Sequence, residues 1–252
     1  MEIVLNKVSY QDCLKDININ LSSGVVYGLT GQNSDLLGKI IGGIINNYKG
    51  EVVSDTKVKN VVISGYDMNF CTQSVKDEFK FIARLHSVKN HNIKQLATEI
   101  FYKLGIDEGL YERMIVSLSR SEKFLIKIAL GVIINPNIVV FEHVFDNLDL
   151  KSRKKLKEFL NTFKEDKIIV INDSDSNILY DITGYVYILK NSKVVLHGVT
   201  DELYIDVEKL IKLKVEIPYL SDIAYKAKKK KNIRLFYRKD VRDTMKDIYR
   251  NV

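Results

Sequence analysis

Hydrophobic and polar residues alternate in the first part of the chain, at residues 3–10 and again at residues 17–21. A spacing of two between hydrophobic positions is typical of a β-strand with one buried face. Two strands are therefore predicted in this region. A Ser-Ser-Gly turn follows at residues 22–24, and the continuous hydrophobic run at residues 25–29 predicts a strand that is buried on both faces.

A short polar loop at residues 30–34 separates this strand from an isoleucine-rich helix, which we expect over about residues 35–47. A strand, a glycine-containing loop and a helix can bind phosphate, because the loop N–H groups and the helix N-terminus point at the anion. An ordinary strand–helix turn is the alternative, and the sequence leaves both open. The candidate phosphate-binding residues are Gly31, Gln32, Asn33, Ser34, Gly38 and Lys39.

The segment 117–149 contains a helix, a strand and a group of polar residues in succession. Its serine-rich opening can satisfy the free N–H groups of a helix start, and the helix must end before Pro136, which cannot continue the hydrogen-bond ladder. The hydrophobic run at residues 138–141 predicts a buried parallel strand. Glu142 and His143 follow directly, and the carboxyl end of such a strand is where α/β proteins place their chemistry.

The rest of the chain continues this alternation of helices and strands. Residues 74–116 read as helical, and residues 151–163 predict a basic amphipathic helix. A buried strand at residues 167–171 is followed by polar residues that include Asp173, and residues 185–198 predict a hairpin. Strands that alternate with helices predict an α/β fold with a largely parallel sheet.

The order and spacing of these elements resemble those of the ATP-binding cassette (ABC) ATPases. Residues 118–122 (LSRSE) stand where that family has its Leu-Ser-Gly-Gly-Gln-like signature motif. Residues 142–145 (EHVF) stand where it has Asp-Glu-Pro-Thr after the Walker B strand, and residues 146–149 match its D-loop. The resemblance implies a P-loop NTPase-like α/β cassette, in which a mixed parallel sheet is joined by an antiparallel β subdomain and a helical subdomain.

The same resemblance divides the chain into two parts. It implies a nucleotide-binding cassette at residues 1–205, with a helical subdomain at about residues 74–130, and a small extension at residues 206–252. Residues 215–224 (VEIPYLSDIA) and the lysines after them are similar to the C-terminal extension of energy-coupling factor (ECF) transporter ATPases. The extension is therefore a candidate dimerisation segment.

Several nucleotide-binding positions of the family hold different residues in this chain. Counted from Gly31, the Walker A lysine position holds Leu37 and the Ser/Thr position holds Gly38, so neither phosphate neutralisation nor a magnesium ligand is available there. A motif shifted by two residues would use Lys39 instead. Tyr10 matches the aromatic residue that stacks on adenine in the family, and simple packing is its alternative role.

The three positions closest to the hydrolytic chemistry also differ from the family. The resemblance places Glu142 at the Walker B aspartate, His143 at the catalytic glutamate and Asp173 at the switch histidine. Asp173 would repel a phosphate rather than donate to it. Glu142 alone is a single weak magnesium ligand, so Mg²⁺ binding is doubtful and no metal-ligand set is predicted.

These substitutions predict a degenerate cassette with little or no ATP hydrolysis and with weak or absent ATP binding. The resemblance implies an ECF-type importer subunit at the cytoplasmic face of the membrane. Its implied partners are a second ABC ATPase subunit and a transmembrane coupling subunit. Two alternatives stay open: a soluble pseudo-ATPase that acts as a scaffold or regulator, and a weakly active ATPase that uses His143 and Lys39.

Charge and cysteine content narrow the classes of function further. Residues 206–252 hold 14 of the 39 basic and 7 of the 32 acidic residues, so the remaining 25 basic and 25 acidic residues of the chain balance. Because the excess of +7 lies in the tail and not along the main domain, no nucleic-acid partner is expected. Cys13 and Cys71 have no metal-ligand spacing.

Overall fold

A computed structural model describes residues 1–55, 58–89, 92–233, 235 and 239–251 of the chain. These residues form a six-stranded sheet and a three-stranded sheet, with helices packed around them. The strands are β1 (Glu2–Tyr10), β2 (Leu14–Ser22), β3 (Val26–Gly31), β4 (Lys49–Ser54), β5 (Asn60–Ser64), β6 (Ile138–Glu142), β7 (Ile168–Asn172), β8 (Tyr185–Lys190) and β9 (Lys193–Val199).

The helices lie between the strands and after the last of them. They are α1 (Ser34–Ile41), α2 (Val75–Leu85), α3 (Ile93–Leu104), α4 (Arg120–Ile133), α5 (Leu150–Phe163), α6 (Ser176–Ile182), α7 (Thr200–Ile205), α8 (Val207–Leu213), α9 (Tyr219–Lys231) and α10 (Val241–Asn251). Within the described residues, no helix combines the length and the apolar character that a membrane span requires.

The six-stranded sheet has the order β5-β6-β7-β3-β8-β9, and only β9 runs antiparallel to its neighbour. The three-stranded sheet has the order β2-β1-β4 and is antiparallel throughout. The carboxyl ends of β3, β6, β7 and β8 therefore meet at one edge of the larger sheet. The polar residues that follow these strands are brought together there, as the sequence predicts.

Strands β6 and β7 are hydrophobic throughout because both of their faces are covered. Val139 and Phe141 contribute to the core cluster beneath α2 to α5, whereas Ile138 and Val140 contribute to a second cluster between the large sheet, α1 and the antiparallel sheet. Alternate side chains of one strand thus fill two different cores. This explains why the run at residues 138–141 has no polar face.

Helix α4 begins at the polar opening that the sequence predicts. Ser119 Oγ accepts a hydrogen bond from the Glu122 backbone N–H at 3.2 Å, and Glu122 Oε2 accepts one from the Ser119 N–H at 2.7 Å. This reciprocal capping box satisfies two N–H groups that the helix itself leaves unpaired. The helix ends at Ile133, before Pro136, and that prediction is confirmed.

Two predicted helices have different bounds in the structure. Helix α1 ends at Ile41 and not near residue 47, because Gly42 is packed against Val62 and Gly43 has a φ of 72°, which ends the helix there. The helical region at residues 74–116 consists of α2, α3 and short 3₁₀ turns. The division into a cassette and an extension stays a prediction, and residues 234, 236–238 and 252 of the extension lie outside the described residues.

Candidate functional site

A cavity of about 670 Å³ opens at the edge of the large sheet where β3, β6 and β8 end. This is where open α/β sheets bind their ligands, and the volume lies in the usual range for small-molecule pockets. Six of the predicted site residues line the cavity. They are Gly31, Gln32, Ser34, Lys39, Glu142 and His143.

Four other predicted residues do not line this cavity. Tyr10 packs, partly buried, against the apolar cluster beside the antiparallel sheet, and Asn33 Nδ2 donates to the Cys13 carbonyl at 2.9 Å. Gly38 faces β6, since a Cβ atom there would lie 3.3 Å from Val140 Cγ1. Asp173 is buried beside His143. The nucleotide contacts of Tyr10, Asn33 and Gly38, and the degenerate catalytic position of Asp173, stay predictions.

The loop that enters the cavity is short. Strand β3 ends at Gly31 and α1 begins at Ser34, so only Gln32 and Asn33 connect them. A Gly-x-x-x-x-Gly-Lys-Ser/Thr loop places four residues between its glycines and presents their N–H groups to phosphates. The short connection leaves fewer such groups, and Asp35 puts a negative charge in the first turn of the helix.

Leu37, counted as the Walker A lysine position, lies on the buried face of α1. Its side chain is 0% exposed and belongs to the core cluster between the two sheets. Gly38 lies on the same buried face. The helix has therefore begun three residues before the position at which the family lysine would stand, and position 37 points away from the cavity.

Lys39 is the cation of α1 that reaches the cavity. Its Nζ lies 3.5 Å from Glu142 Oε1 and 3.7 Å from Asp35 Oδ2. The Glu142 side chain is almost fully buried, so this ion pair compensates a charge that would otherwise be costly to bury. Lys39 and Glu142 thus neutralise each other.

The residues around the cavity do not fit a P-loop magnesium site. Mg²⁺ requires near-octahedral oxygen ligands, and here Glu142 is paired with Lys39 while Gly38 supplies no hydroxyl. The cavity carries mixed charges, since acidic and basic side chains both line it. Lys190 also lines the cavity, and its Nζ donates to the Leu213 carbonyl at 2.5 Å. The strand–loop–helix shape is retained, but its lysine, Lys39, is already paired with two carboxylates.

His143, Asp146 and Asp173 come together beside the cavity. One potential ligand atom from each lies within 4.8 Å of the others, and His143 Nδ1 is 3.9 Å from Asp173 Oδ1. Desolvation raises the pKa of Asp173, and the N–H of Asp175 and the neighbouring His143 oppose that shift. The Tyr66 ring lies 5.2 Å from the imidazole ring of His143, centroid to centroid.

The Arg120 side chain binds another residue of its own chain. Arg120 stands where the resemblance places the first glycine of the signature motif. Its Nε donates to Asn147 Oδ1 at 2.9 Å, and Asn147 Nδ2 donates in turn to the Gly65 carbonyl at 3.0 Å. The start of α4, the D-loop and the turn after β5 are thereby joined. Asn147 is a structural member of the site that the sequence analysis does not identify.

Several other residues that line the cavity are not identified from the sequence. Two of them could have been found from the sequence, because Tyr66 follows strand β5 and Ser174 follows strand β7, and strand ends mark the ligand-binding edge of the sheet. Lys214 and Glu216 had no such signal, since they reach the cavity only because the chain after α8 folds back over it. The cavity-lining residues not identified from the sequence are Thr30, Asp35, Tyr66, Ser174, Ser176, Ile188, Leu189, Lys190, Asn191, Tyr204, Lys214, Val215 and Glu216.

Comparison with known proteins identifies relatives of the chain. It is 27% identical to an uncharacterised ABC transporter ATP-binding protein of Methanocaldococcus jannaschii, over 94% of this chain and 92% of that protein. It is 25% identical to the energy-coupling factor transporter ATP-binding protein EcfA1 of Mycoplasma mobile, over 82% of this chain and 81% of that protein. No protein-family profile matches the chain.

The fold has a close counterpart among solved structures. CbiO1 from Clostridium perfringens, part of the ABC transporter complex CbiONQ, matches with a TM-score of 0.69 at 21% identity. The match covers 88% of this chain and 97% of that one. The predicted fold class, an ABC cassette with a mixed parallel sheet and an antiparallel β subdomain, is confirmed, and so is the resemblance to ABC transporter ATP-binding proteins.

Proposed function

We propose that this chain, which has the ABC cassette fold and ABC transporter ATP-binding proteins as relatives, is a non-hydrolysing cassette of an ECF-type importer. It lies at the cytoplasmic face of the membrane, docks on a transmembrane coupling subunit and pairs with a second, active ATPase subunit. ATP binds to it weakly or not at all. The fold, the relatives of the chain and the geometry of the cavity support this function.

The ion pair between Lys39 and Glu142 is the observation that carries this proposal. Hydrolysis requires a neutralised terminal phosphate, a held metal ion and a positioned water. In this chain the lysine of α1 and the carboxylate at the end of β6 lie 3.5 Å apart and form an ion pair. To bind magnesium and phosphate, the site would first have to break a partly buried ion pair.

Residues at three other positions also disfavour ATP hydrolysis. Loss of one preorganised charge contact commonly costs about 2.7–4 kcal/mol, or about 100–1000-fold in rate. The catalytic glutamate position is His143, the switch histidine position is Asp173, and Leu37 is buried. Such losses are not additive, but several together leave little transition-state stabilisation.

The signature loop supports a structural role more than a catalytic one. The Ser119 hydroxyl accepts the Glu122 N–H in the capping box, and the Arg120 side chain is bound to Asn147. A phosphate of a partner's nucleotide would compete with these contacts within the same turn of α4. We therefore propose a structural role for this end of the helix rather than phosphate binding.

A groove beside α2 and α3 supports docking on a membrane subunit. It has a volume of about 550 Å³ and combines apolar with basic and polar side chains. The lining residues are Ala83, Val88, Ile93, Tyr111, Lys80, Arg84, Lys94, Ser87 and Asn92. An amphipathic coupling helix fits such a groove by laying its apolar face against it. The chain should therefore co-purify with a tagged membrane subunit and a second cassette after co-expression of their genes.

Lys80, Arg84 and Lys94 make the groove basic, so the coupling helix that fits it carries acidic residues on its polar face. Arg84→Glu would set like charges across this interface and is expected to lower recovery of the chain at least about tenfold. Lys103→Glu makes the same charge change on α3 outside the groove and should leave recovery unchanged. Equal recovery of both variants would contradict docking at the groove. A chain found only in the soluble fraction would favour the alternative function of a scaffold or regulator.

A further inference from the structure

We propose that His143, Asp146 and Asp173 form a binding site for a divalent transition-metal ion of the Zn²⁺ class. The site goes beyond the proposed function, since it requires neither nucleotide nor a partner subunit. His143 and Asp146 are three positions apart after β6, and Asp173 follows β7, the neighbouring strand, so the sheet brings Asp173 beside the other two. The sequence shows only the spacing of the first two residues and does not reveal the third.

The distances suit a small cation bound between the three side chains. The ligand atoms all lie within 4.8 Å of one another, and His143 Nδ1 is 3.9 Å from Asp173 Oδ1. Four-coordinate Zn²⁺ with bonds of about 2.0–2.2 Å separates its ligand atoms by roughly 3.3–3.6 Å. The separation of His143 Nδ1 and Asp173 Oδ1 is slightly larger than this and requires a small side-chain movement on metal binding. Asp146 is exposed in a 3₁₀ turn, so a change of its rotamer can bring its carboxylate towards the other two ligands.

An unpaired atom of Asp173 is the second, independent observation. Asp173 is 1% exposed, and its Oδ2 has no hydrogen-bond partner among the described residues. The other oxygen, Oδ1, accepts from the Asp175 N–H at 3.0 Å. Buried carboxylate oxygens are normally hydrogen-bonded or bound to metal ions, because burying a charge without a partner is costly. A cation bound by the Asp173 carboxylate would satisfy this oxygen.

The backbone around His143 holds the imidazole at this point. His143 has a φ of 49°, in the left-handed region that non-glycine residues seldom adopt, and residues held there cluster at functional sites. Its N–H donates to the Asn172 carbonyl at 3.0 Å, and its own carbonyl accepts from Asn147 Nδ2 at 3.2 Å. These hydrogen bonds fix the backbone from which the imidazole ring projects.

The ligand types favour a transition metal over Mg²⁺. Imidazole suits Zn²⁺ and related ions, whereas Mg²⁺ prefers an all-oxygen octahedron. One imidazole and two carboxylates leave a fourth position for water or for a small anion in the adjoining cavity, which His143 also lines. The site is thus separate from the Lys39–Glu142 pair, although it borders the same space.

Calorimetric titration of the metal-stripped chain with Zn²⁺ alone, without nucleotide, tests this site. One ion per chain should bind. His143→Asn and Asp146→Asn should each weaken binding at least about tenfold, since even the outer partners of a metal site contribute about 10–100-fold. Asparagine tolerates the left-handed backbone of residue 143, and Asp146 is exposed, so both variants are expected to fold.

A matched control separates this site from weak binding at surface histidines. His86→Asn removes an exposed histidine at the end of α2 and should leave the Zn²⁺ affinity unchanged. Visible absorption of the Co²⁺-loaded chain should indicate a four-coordinate site and be lost in His143→Asn. No binding, binding that depends on His86, or equal affinity in Asp146→Asn would overturn the proposal. None of these results bears on ATP hydrolysis or on partner binding.

Discussion

Leu37→Lys is expected to lower the free energy of unfolding by at least about 3 kcal/mol and to restore no ATP binding. Motif counting suggests the opposite result, since it places the Walker A lysine at this position. The side chain is fully buried against the second core cluster, so the variant loses apolar packing and brings a charge into a low-dielectric interior. Chemical denaturation at neutral pH measures the effect.

Leu36→Lys is the matched control on the same turn of α1. Leu36 is only partly buried, so a lysine there can extend its amine to solvent. We expect a loss below about 1 kcal/mol for this variant, close to that of ordinary surface substitutions. A Leu37→Lys protein as stable as the parent, or one with tighter ATP binding, would mean that position 37 faces the cavity.

Gly31→Ala is expected to destabilise the fold by roughly 3–5 kcal/mol, because strain and overlap act together. Gly31 has a φ of 97°, and a Cβ atom on it would lie 2.0 Å from the Leu189 carbonyl oxygen of β8. Gly31 and Leu189 are paired in the central sheet, so neither backbone can move without breaking the pairing of β3 with β8. The melting temperature and the denaturant midpoint should both fall.

Gly24→Ala isolates the contribution of backbone strain. Gly24 has a similar φ of 89°, but nothing lies within 4 Å of a Cβ atom built there. We expect a loss of only about 1–2 kcal/mol for this variant. The difference between the two variants measures the close approach of β3 to β8. Equal losses would contradict the packing described for the entry to the cavity.

The buried strands and the start of α4 could be predicted from the sequence because local patterns determine them. Residues 138–141 are hydrophobic without interruption, and Ser119 and Glu122 have the spacing of a capping box. Parallel strands require crossover helices, which fixed the α/β class. The placement of Glu142 and His143 at the cavity also followed, since they come directly after a buried strand.

The orientation of α1 could not be predicted in the same way. Motif counting from Gly31 assumes a loop of the family's length, whereas the start of a helix depends on where its apolar face meets the core. The helix begins at Ser34, and this start places Leu37 and Ile40 on its buried face. A helix rich in isoleucine offers several registers, and packing against β6 selects one of them.

Contacts between distant segments lay beyond sequence reasoning altogether. Arg120 and Asn147 meet because α4 and the D-loop pack side by side, and no local pattern identifies such a pair. The same holds for Lys39 and Glu142, whose ion pair depends on α1 lying beside β6. This ion pair bears most directly on whether the cassette can work as an enzyme.

Phosphate release by the purified chain at saturating ATP and Mg²⁺ tests the central claim most directly. An active ABC ATPase relative assayed in parallel provides the positive control. The Lys39–Glu142 pair, the buried Leu37 and the short loop predict a turnover at least about 100-fold below roughly 1 per second, the lower end for typical enzymes. Turnover near 1 per second that Lys39→Ala abolishes would contradict the account.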